Sequence, residues 1–285
     1  MIQSMTGYGK SILQLPSKKI TIEIKSLNSK NLDLHARVPS SYREKELELR
    51  NQIAQSLSRG KVDFNLYIEV TGEATQTKVN QEVVKEYMKQ LQAVSDGDAI
   101  DLLKMAIRLP DALKTEREEI DPAEYKKIVS GVEEALAAIN EYRTDEGKTL
   151  ETDFHQRVTN IDSLLDQVVA MDPERVAHVK DRLHKAVAEI KESVDENRFE
   201  QELIYYLEKY DITEEKVRLK NHLDYFKETL QKPVSNGKKL GFISQEIGRE
   251  INTIGSKANY APMQQLVVQM KDELEKIKEQ ALNVL

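Results

Sequence analysis

The chain has 285 residues, 39% hydrophobic and 32% charged, with a formal net charge of −7. That balance argues against a disordered chain and excludes a uniformly basic nucleic-acid coat, while the absence of cysteine excludes disulfides, thiolate zinc sites and a cysteine nucleophile. No stretch approaches the ~18 apolar residues of a membrane span, and no basic-then-apolar leader opens the chain, so a soluble cytoplasmic protein with no membrane partner is expected.

Residues 1–70 carry 11 Lys and Arg against 7 Asp and Glu, and only this third has a positive balance. It is predicted to be β-rich. Ile20, Ile22 and Ile24 alternate with polar residues, as do Leu32, Leu34, Ala36 and Val38, and then Val62, Phe64, Leu66, Ile68 and Val70. Between the last two strands, Ser41 to Ser58 predicts a helix with Leu47, Ile53, Ala54 and Leu57 as its apolar positions, ended at Arg59-Gly60. Near the start, Gly9-Lys10-Ser11 matches the end of a phosphate-binding loop. It lacks that loop's first glycine, where Ser4 stands, and the strand before it. Gly7 and Gly9 instead predict a turn or a close backbone approach.

From about residue 80 onward the pattern is helical. Ser95-Asp-Gly-Asp98 and Leu109-Pro110 break the first helices. Asp121-Pro122 opens a long polar helix, with Gly147 a point of interruption, that runs to about Ala170; Pro173 restarts it toward Tyr210. Lys232-Pro233 and Ser235-Asn236-Gly237 mark a loop. The expected fold class is α+β. A mixed α/β domain with a small, mostly antiparallel sheet covers 1–80, a long helical region 81–199, and a helical domain 200–285.

Three patterns in the last third carry chemistry. Asp211, Glu215, Arg218 and His222 fall within about 60° of one another on a helix, beside an apolar stripe of Ile212, Leu219, Leu223, Phe226 and Leu230. In Leu240 to Lys257 the stripe Ile243, Ile247, Ile251 and Ile254 is flanked by Glu246, Arg249, Glu250 and Thr253 on one border and by Gln245, Arg249, Asn252 and Ser256 on another. Glu246 and Glu250 are like charges one helical turn apart, which disfavours a helix unless a cation lies between them. Gly248 costs about 1 kcal/mol against alanine in mid-helix, which predicts close approach of a helix or ligand there. Met263, Val267, Met270, Leu274, Ile277, Ala281 and Val284 follow a 4-3-4-3-4-3 spacing. Such a heptad seam seeks a partner helix, in the same chain or in another subunit. No metalloprotease, serine-hydrolase or dinucleotide fingerprint is present.

Several short runs occurring in order resemble a known family. Ser4-Met-Thr-Gly-Tyr-Gly9, Glu23-Ile-Lys-Ser-Leu-Asn28, Asn31-Leu-Asp33, Arg37-Val-Pro39 and Arg59-Gly-Lys61 resemble the N-terminal domain of the YicC/YloC family. Asp211-Ile-Thr-Glu-Glu215, Arg218-Leu219, His222-Leu223, Gln245-Glu246, Arg249-Glu250, Asn252-Thr253 and Gly255-Ser-Lys257 resemble its C-terminal domain. The ending Ala281 to Leu285 departs from the family's pattern and is expected to be peripheral. The resemblance implies a bacterial endoribonuclease with a divalent metal, Mn2+ or Mg2+, assembled as a homo-oligomer, a hexamer, that closes on RNA.

Phosphodiester cleavage needs a base, charge stabilisation at phosphorus and a proton for the leaving oxygen. On the positions that match, Glu215, Glu246 and Glu250 are the metal or acid–base candidates, and His222 is the proton donor, since imidazole is the side chain suited to proton exchange near neutral pH. Arg218, Arg249 and Lys257 would hold phosphate oxygens; Gln245 and Asn252 would orient them. Lys25, Asn28, Lys30, Arg37, Arg59 and Lys61 would track the RNA backbone. The rival reading keeps every basic residue and makes the carboxylates structural, giving a non-catalytic oligomeric RNA-binding clamp or adaptor.

Overall fold

The computed structural model describes residues 2–71, 77–95, 97–115, 120–189, 196–232 and 234–285. The alternating residues of the first third become β1 (Gly7–Gln14), β2 (Lys18–Leu27), β3 (Leu32–Arg37) and β4 (Gly60–Val70), ordered β1-β2-β4-β3. The β1–β2 and β2–β4 pairs are antiparallel and β3–β4 is parallel. A 3-10 turn and helix α1 (Glu46–Ser56) make the crossover between the parallel strands. The chain is α+β, as expected. Of the apolar positions predicted for α1, Ile53 and Leu57 are buried, joined by Leu49 and by Tyr42 before the helix, while Leu47 and Ala54 are exposed, on the side of the helix turned from the sheet.

A small satellite follows: β5 (Thr77–Val79) paired with β6 (Leu113–Thr115), and between them α2 (Gln81–Val94) and α3 (Ala99–Ala106). Its buried residues are Val84, Ala106 and Ala112. The chain then enters α4 (Pro122–Glu189), 68 residues in one helix, about 100 Å at 1.5 Å per residue. Two expected breaks are absent. Gly147 is needed for contact rather than interruption, since a Cβ there would stand 2.0 Å from the Ile2 carbonyl oxygen. Pro173 lies inside the helix. An internal proline costs about 3 kcal/mol, and burial of Val168, Arg175 and Val179 around it holds the helix together.

Helix α4 serves two cores. Its first half lays Ile128, Val132, Ala135 and Ile139 on the sheet, beside Ile20, Ile22, Ile24 and Phe64. The fit requires Gly9, where a Cβ would lie 2.0 Å from the Ala135 carbonyl oxygen, so the close approach read from the sequence is real. Its second half lays Phe154, Val158, Ile161 and Val168 on the last three helices, α6 (Thr213–Leu230), α7 (Gly237–Ala258) and α8 (Ala261–Ala281); α5 (Glu196–Lys209) precedes them. Pro233, part of the predicted loop, lies outside the described residues.

The heptad seam of α8 is covered by this chain's own helices. Met263, Val267, Met270, Leu274, Ile277, Ala281 and Val284 all belong to the core shared with α4, α6 and α7, which settles the two partners left open by the spacing in favour of the same chain. Gly248 faces α8: a Cβ at this position would stand 3.1 Å from Leu274 Cδ2, the close helix approach expected there. The ending is integral, contrary to expectation. Met5 N donates to Asn283 O at 2.7 Å, Leu285 N to Gln3 O at 3.0 Å, and Gly237 N to Leu285 O at 2.8 Å. These backbone bonds tie both chain ends together, and the side chains of Ala281 and Val284 are buried in the core besides.

Candidate active site at the α6–α7 hairpin

Helices α6 and α7 pack as an antiparallel hairpin, burying Leu219, Leu223, Phe226 and Leu230 against Ile243, Ile247, Ile251 and Ile254. The two polar stripes flank that seam. The Lys257 ammonium, at the end of α7, donates to Glu215 Oε1, at the start of α6, at 2.7 Å. Facing pairs in an antiparallel helix pair recur each heptad in opposite directions. One heptad on from Glu215 and Lys257 stand His222 of α6 and Glu250 of α7, which no hydrogen bond or ion pair joins among the described residues.

The seam is dry here. Glu215 is 5% exposed and Glu250 4%, while His222 is half-buried. Glu215 Oε2 is buried without a hydrogen-bond partner among the described residues. A buried carboxylate oxygen left unpaired is costly.

The other candidates point elsewhere. Glu246 is half-buried and pairs with Arg249 at 3.5 Å; Arg249 has its side chain 73% exposed. Arg218 is exposed and donates to Glu214, its neighbour one turn back. Asp211 accepts from the Thr213 hydroxyl and backbone N–H, and those bonds hold its carboxyl below the usual range. Gln245 and Asn252 are exposed on the outer face of α7. Glu215, Glu246 and Glu250 do not make a three-ligand metal cluster, and among the described residues no other trio of Asp, Glu and His does. The reason is rotational: one turn along α7 carries Glu246 from the buried seam, where Glu250 lies, out to solvent.

The basic residues of the first third also separate. Asn28, Lys30, Arg59 and Lys61 gather at one end of the sheet, where Arg59 Nε donates to Ser29 O at 2.8 Å and Gly60 N to Asn31 O at 3.3 Å. Lys25 lies along the open sheet face over the Tyr8 ring, 3.9 Å from Glu23. Arg37 sits at the far end of β3, paired in register with Asn65, beside a groove it shares with Arg43. The parallel crossover puts Arg37 there, and a linear charge count is blind to strand direction.

Sequence reasoning missed a second ion cluster next to Glu215. Asp172 of α4 accepts from Arg175 Nε at 2.7 Å and from Lys216 Nζ at 2.6 Å, so the residue after Glu215 is clamped to α4. Arg175 is almost fully buried. The signal available was the Asp172-Pro173 break inside a helical pattern, a local cost that a tertiary contact has to offset. Farther along, Asp162 of α4 takes Lys220 at 2.9 Å and Lys227 at 2.7 Å from α6. Burial resists its ionisation, but the two lysines outweigh that and lower its pKa. This contribution to stability is thus present at neutral pH and is lost only as the pH falls through that lowered value.

The fold and the hairpin define an α+β protein in which a sheet domain and a helical bundle share one long helix, with a buried carboxylate at the bundle's polar seam. The chain belongs to the YicC-like endoribonuclease family. Residues 2–152 match the family model "Endoribonuclease YicC-like, N-terminal region" and residues 168–285 match "Endoribonuclease YicC-like, C-terminal". It is similar over its whole length to proteins named "Probable endoribonuclease YicC": 32% identical to that of Clostridioides difficile strain 630 and 28% to that of Haemophilus influenzae, each relative covered completely.

Proposed function

We propose that this chain is a cytoplasmic, metal-assisted endoribonuclease that clamps structured or small RNA and cleaves it at the α6–α7 hairpin. The observation that carries the reading is Glu215: a buried carboxylate with one oxygen on Lys257 and the other unpartnered. The family and the names of its full-length relatives support RNA as the substrate. The first 80 residues then track the RNA, residues 81–199 supply the long helical frame, and residues 200–285 carry the chemistry.

In this reading the free oxygen of Glu215 takes the proton from the attacking hydroxyl or water as the new P–O bond forms. The phosphorus–leaving-group bond breaks, and His222 gives its proton to the departing oxygen. Glu250, the second buried carboxylate of the hairpin, would help hold a divalent ion beside the phosphate. Lys257 stays against Glu215 and offsets charge gathering at phosphorus; Arg218 and Arg249, on the outer surface, hold flanking phosphates. The described residues form no protein-only metal cage. A divalent ion fits this seam only as one shared between one or two carboxylates and RNA phosphates, the usual way Mg2+ is held, where it would neutralise phosphate charge.

The test is cleavage of an end-labelled RNA hairpin by the purified chain. The expected result is cleavage with Mn2+ or Mg2+, loss in EDTA and loss in Glu250→Gln. RNA binding without cleavage under every metal condition would establish the clamp or adaptor instead. Cleavage indifferent to EDTA would remove the metal.

Assembly into a homo-oligomer, a hexamer, is part of the proposal. It is supported by the satellite, where Val94, Ile100, Leu103 and Met105 are exposed beside a core too small to be self-sufficient. A sedimentation mass of six 32.7 kDa chains is expected, and a monomer mass ends this part of the reading.

A further inference from the structure

A cleft of about 410 Å3 lies at the N-terminal end of α7, where the sheet domain meets the bundle. Arg59 comes from the sheet domain, Lys238, Gly241 and Gln245 from the first turns of α7, and Lys278 and Leu282 from the end of α8. Arg59 is held from both sides. Its Nε is bound to Ser29 O at 2.8 Å, and its carbonyl accepts from Arg143 at 3.4 Å. Arg143 is 2% exposed, has no carboxylate partner among the described residues, and keeps Nε unsatisfied. A buried cation without a counter-ion leaves positive potential at this corner. Of the rim's acids, Glu275 is neutralised by Lys278 at 2.8 Å, and Glu279 is the other. The rim therefore has a surplus of one positive charge over an apolar floor that includes Ala281 and Val284.

We propose that this cleft is a nucleotide subsite for one unit of the RNA strand, with its phosphate on Arg59 and Lys238, its base over Leu282, and the Gln245 amide reading the base edge. One surplus charge suits one phosphate, an apolar floor suits a base or ribose, and an amide both donates and accepts. Gln245 also starts the exposed row Gln245, Arg249, Asn252 along the outer face of α7. From Gln245 to Glu250 is about 8 Å of helix and to Lys257 about 18 Å, so a strand seated in the cleft reaches the hairpin within a few nucleotides. Arg143 is a positioning residue that acts through Arg59. This inference rests on RNA being the substrate, but not on which group cleaves it.

Gly241 supplies a clean test. A Cβ built there meets nothing within 4 Å, so the backbone leaves room for a side chain to start at the cleft wall. Removal of a mid-helix glycine also favours the helix. Fluorescence anisotropy with a labelled single-stranded oligoribonucleotide is measured in the full-length chain in EDTA, with the RNA checked intact on a gel, with and without Gly241→Leu, Arg59→Gln or Lys238→Gln. Gly241→Leu is expected to keep or raise Tm, keep the parent's sedimentation mass, and weaken binding about tenfold, while each neutralised cation lowers the log–log salt slope by about 0.7. A folded Gly241→Leu chain with the parent's affinity overturns the subsite, as does a changed mass, which would make the cleft a subunit contact. Absence of RNA binding by the parent itself would instead remove the RNA reading, and this subsite with it.

Discussion

Glu215→Gln is expected to lower RNA cleavage by at least about a hundredfold, the lower end of what a general acid or base contributes, with RNA affinity changed little. The amide keeps the shape of the carboxylate and still accepts from Lys257, but it cannot take a proton. Breaking a buried ion pair also costs about 3–5 kcal/mol when one partner is left charged and alone, so loss of activity could arise from loss of fold. The double variant Glu215→Gln with Lys257→Met separates the two causes. Removing both charges together restores stability, because a buried pair replaced as a unit is close to neutral. Cleavage is expected to stay lost. His222→Ala should remove one limb of the pH–rate profile without weakening binding. A folded Glu215→Gln chain that cleaves within a few-fold of the parent would end the role given to this carboxylate.

Met270→Glu is expected to abolish the cooperative melt of the C-terminal bundle rather than to yield smaller, folded particles. Met270 is 0% exposed, in a core built by α4, α6, α7 and α8. A carboxylate there enters an apolar core, and an unpaired buried charge costs several kcal/mol, a large fraction of total stability. Val268, two positions back on the same helix, is 56% exposed, and Val268→Glu should shift the urea midpoint by no more than about 0.5 kcal/mol equivalent. Circular dichroism through a urea titration reads both. If Met270→Glu melts as the parent does while its mass falls, the seam is a subunit contact after all.

How far the sequence carried differed by region. The strands were legible because each alternates apolar and polar residues, and one face of the sheet is buried under α4 and α1. Their order was not, since the parallel return of β3 onto β4 depends on where the crossover containing α1 packs. The polar stripes bordering the seam of α6 and α7 were legible from helical periodicity. Periodicity also grouped Glu246 with Glu250 and Arg218 with Glu215, and these pairs part company in the folded chain. Side chains a turn apart share a face only to within tens of degrees, and at the edge of a packed seam that is the difference between a dry pocket and water.

The heptad spacing at 263–284 determined by itself that α8 must bury one stripe, because a 3.5-residue apolar repeat has no other stable use in water. Which surface covers it was decided by tertiary structure: α4 runs on through Gly147 and Pro173 and brings its second half down onto the bundle. Local rules for glycine and proline predict breaks there, since they count only the cost to the helix. The contacts that offset that cost join residues far apart in the chain, Gly147 to Ile2 and Asp172 to Lys216. The same holds for Glu215. Its residue type and helical row were written in the sequence, but its burial, its bond to Lys257 and its one unpartnered oxygen exist only because α6 and α7 fold back on each other in that register. Composition and period set what each segment must hide; the packing of segments distant in the chain determined which polar atoms were left without water.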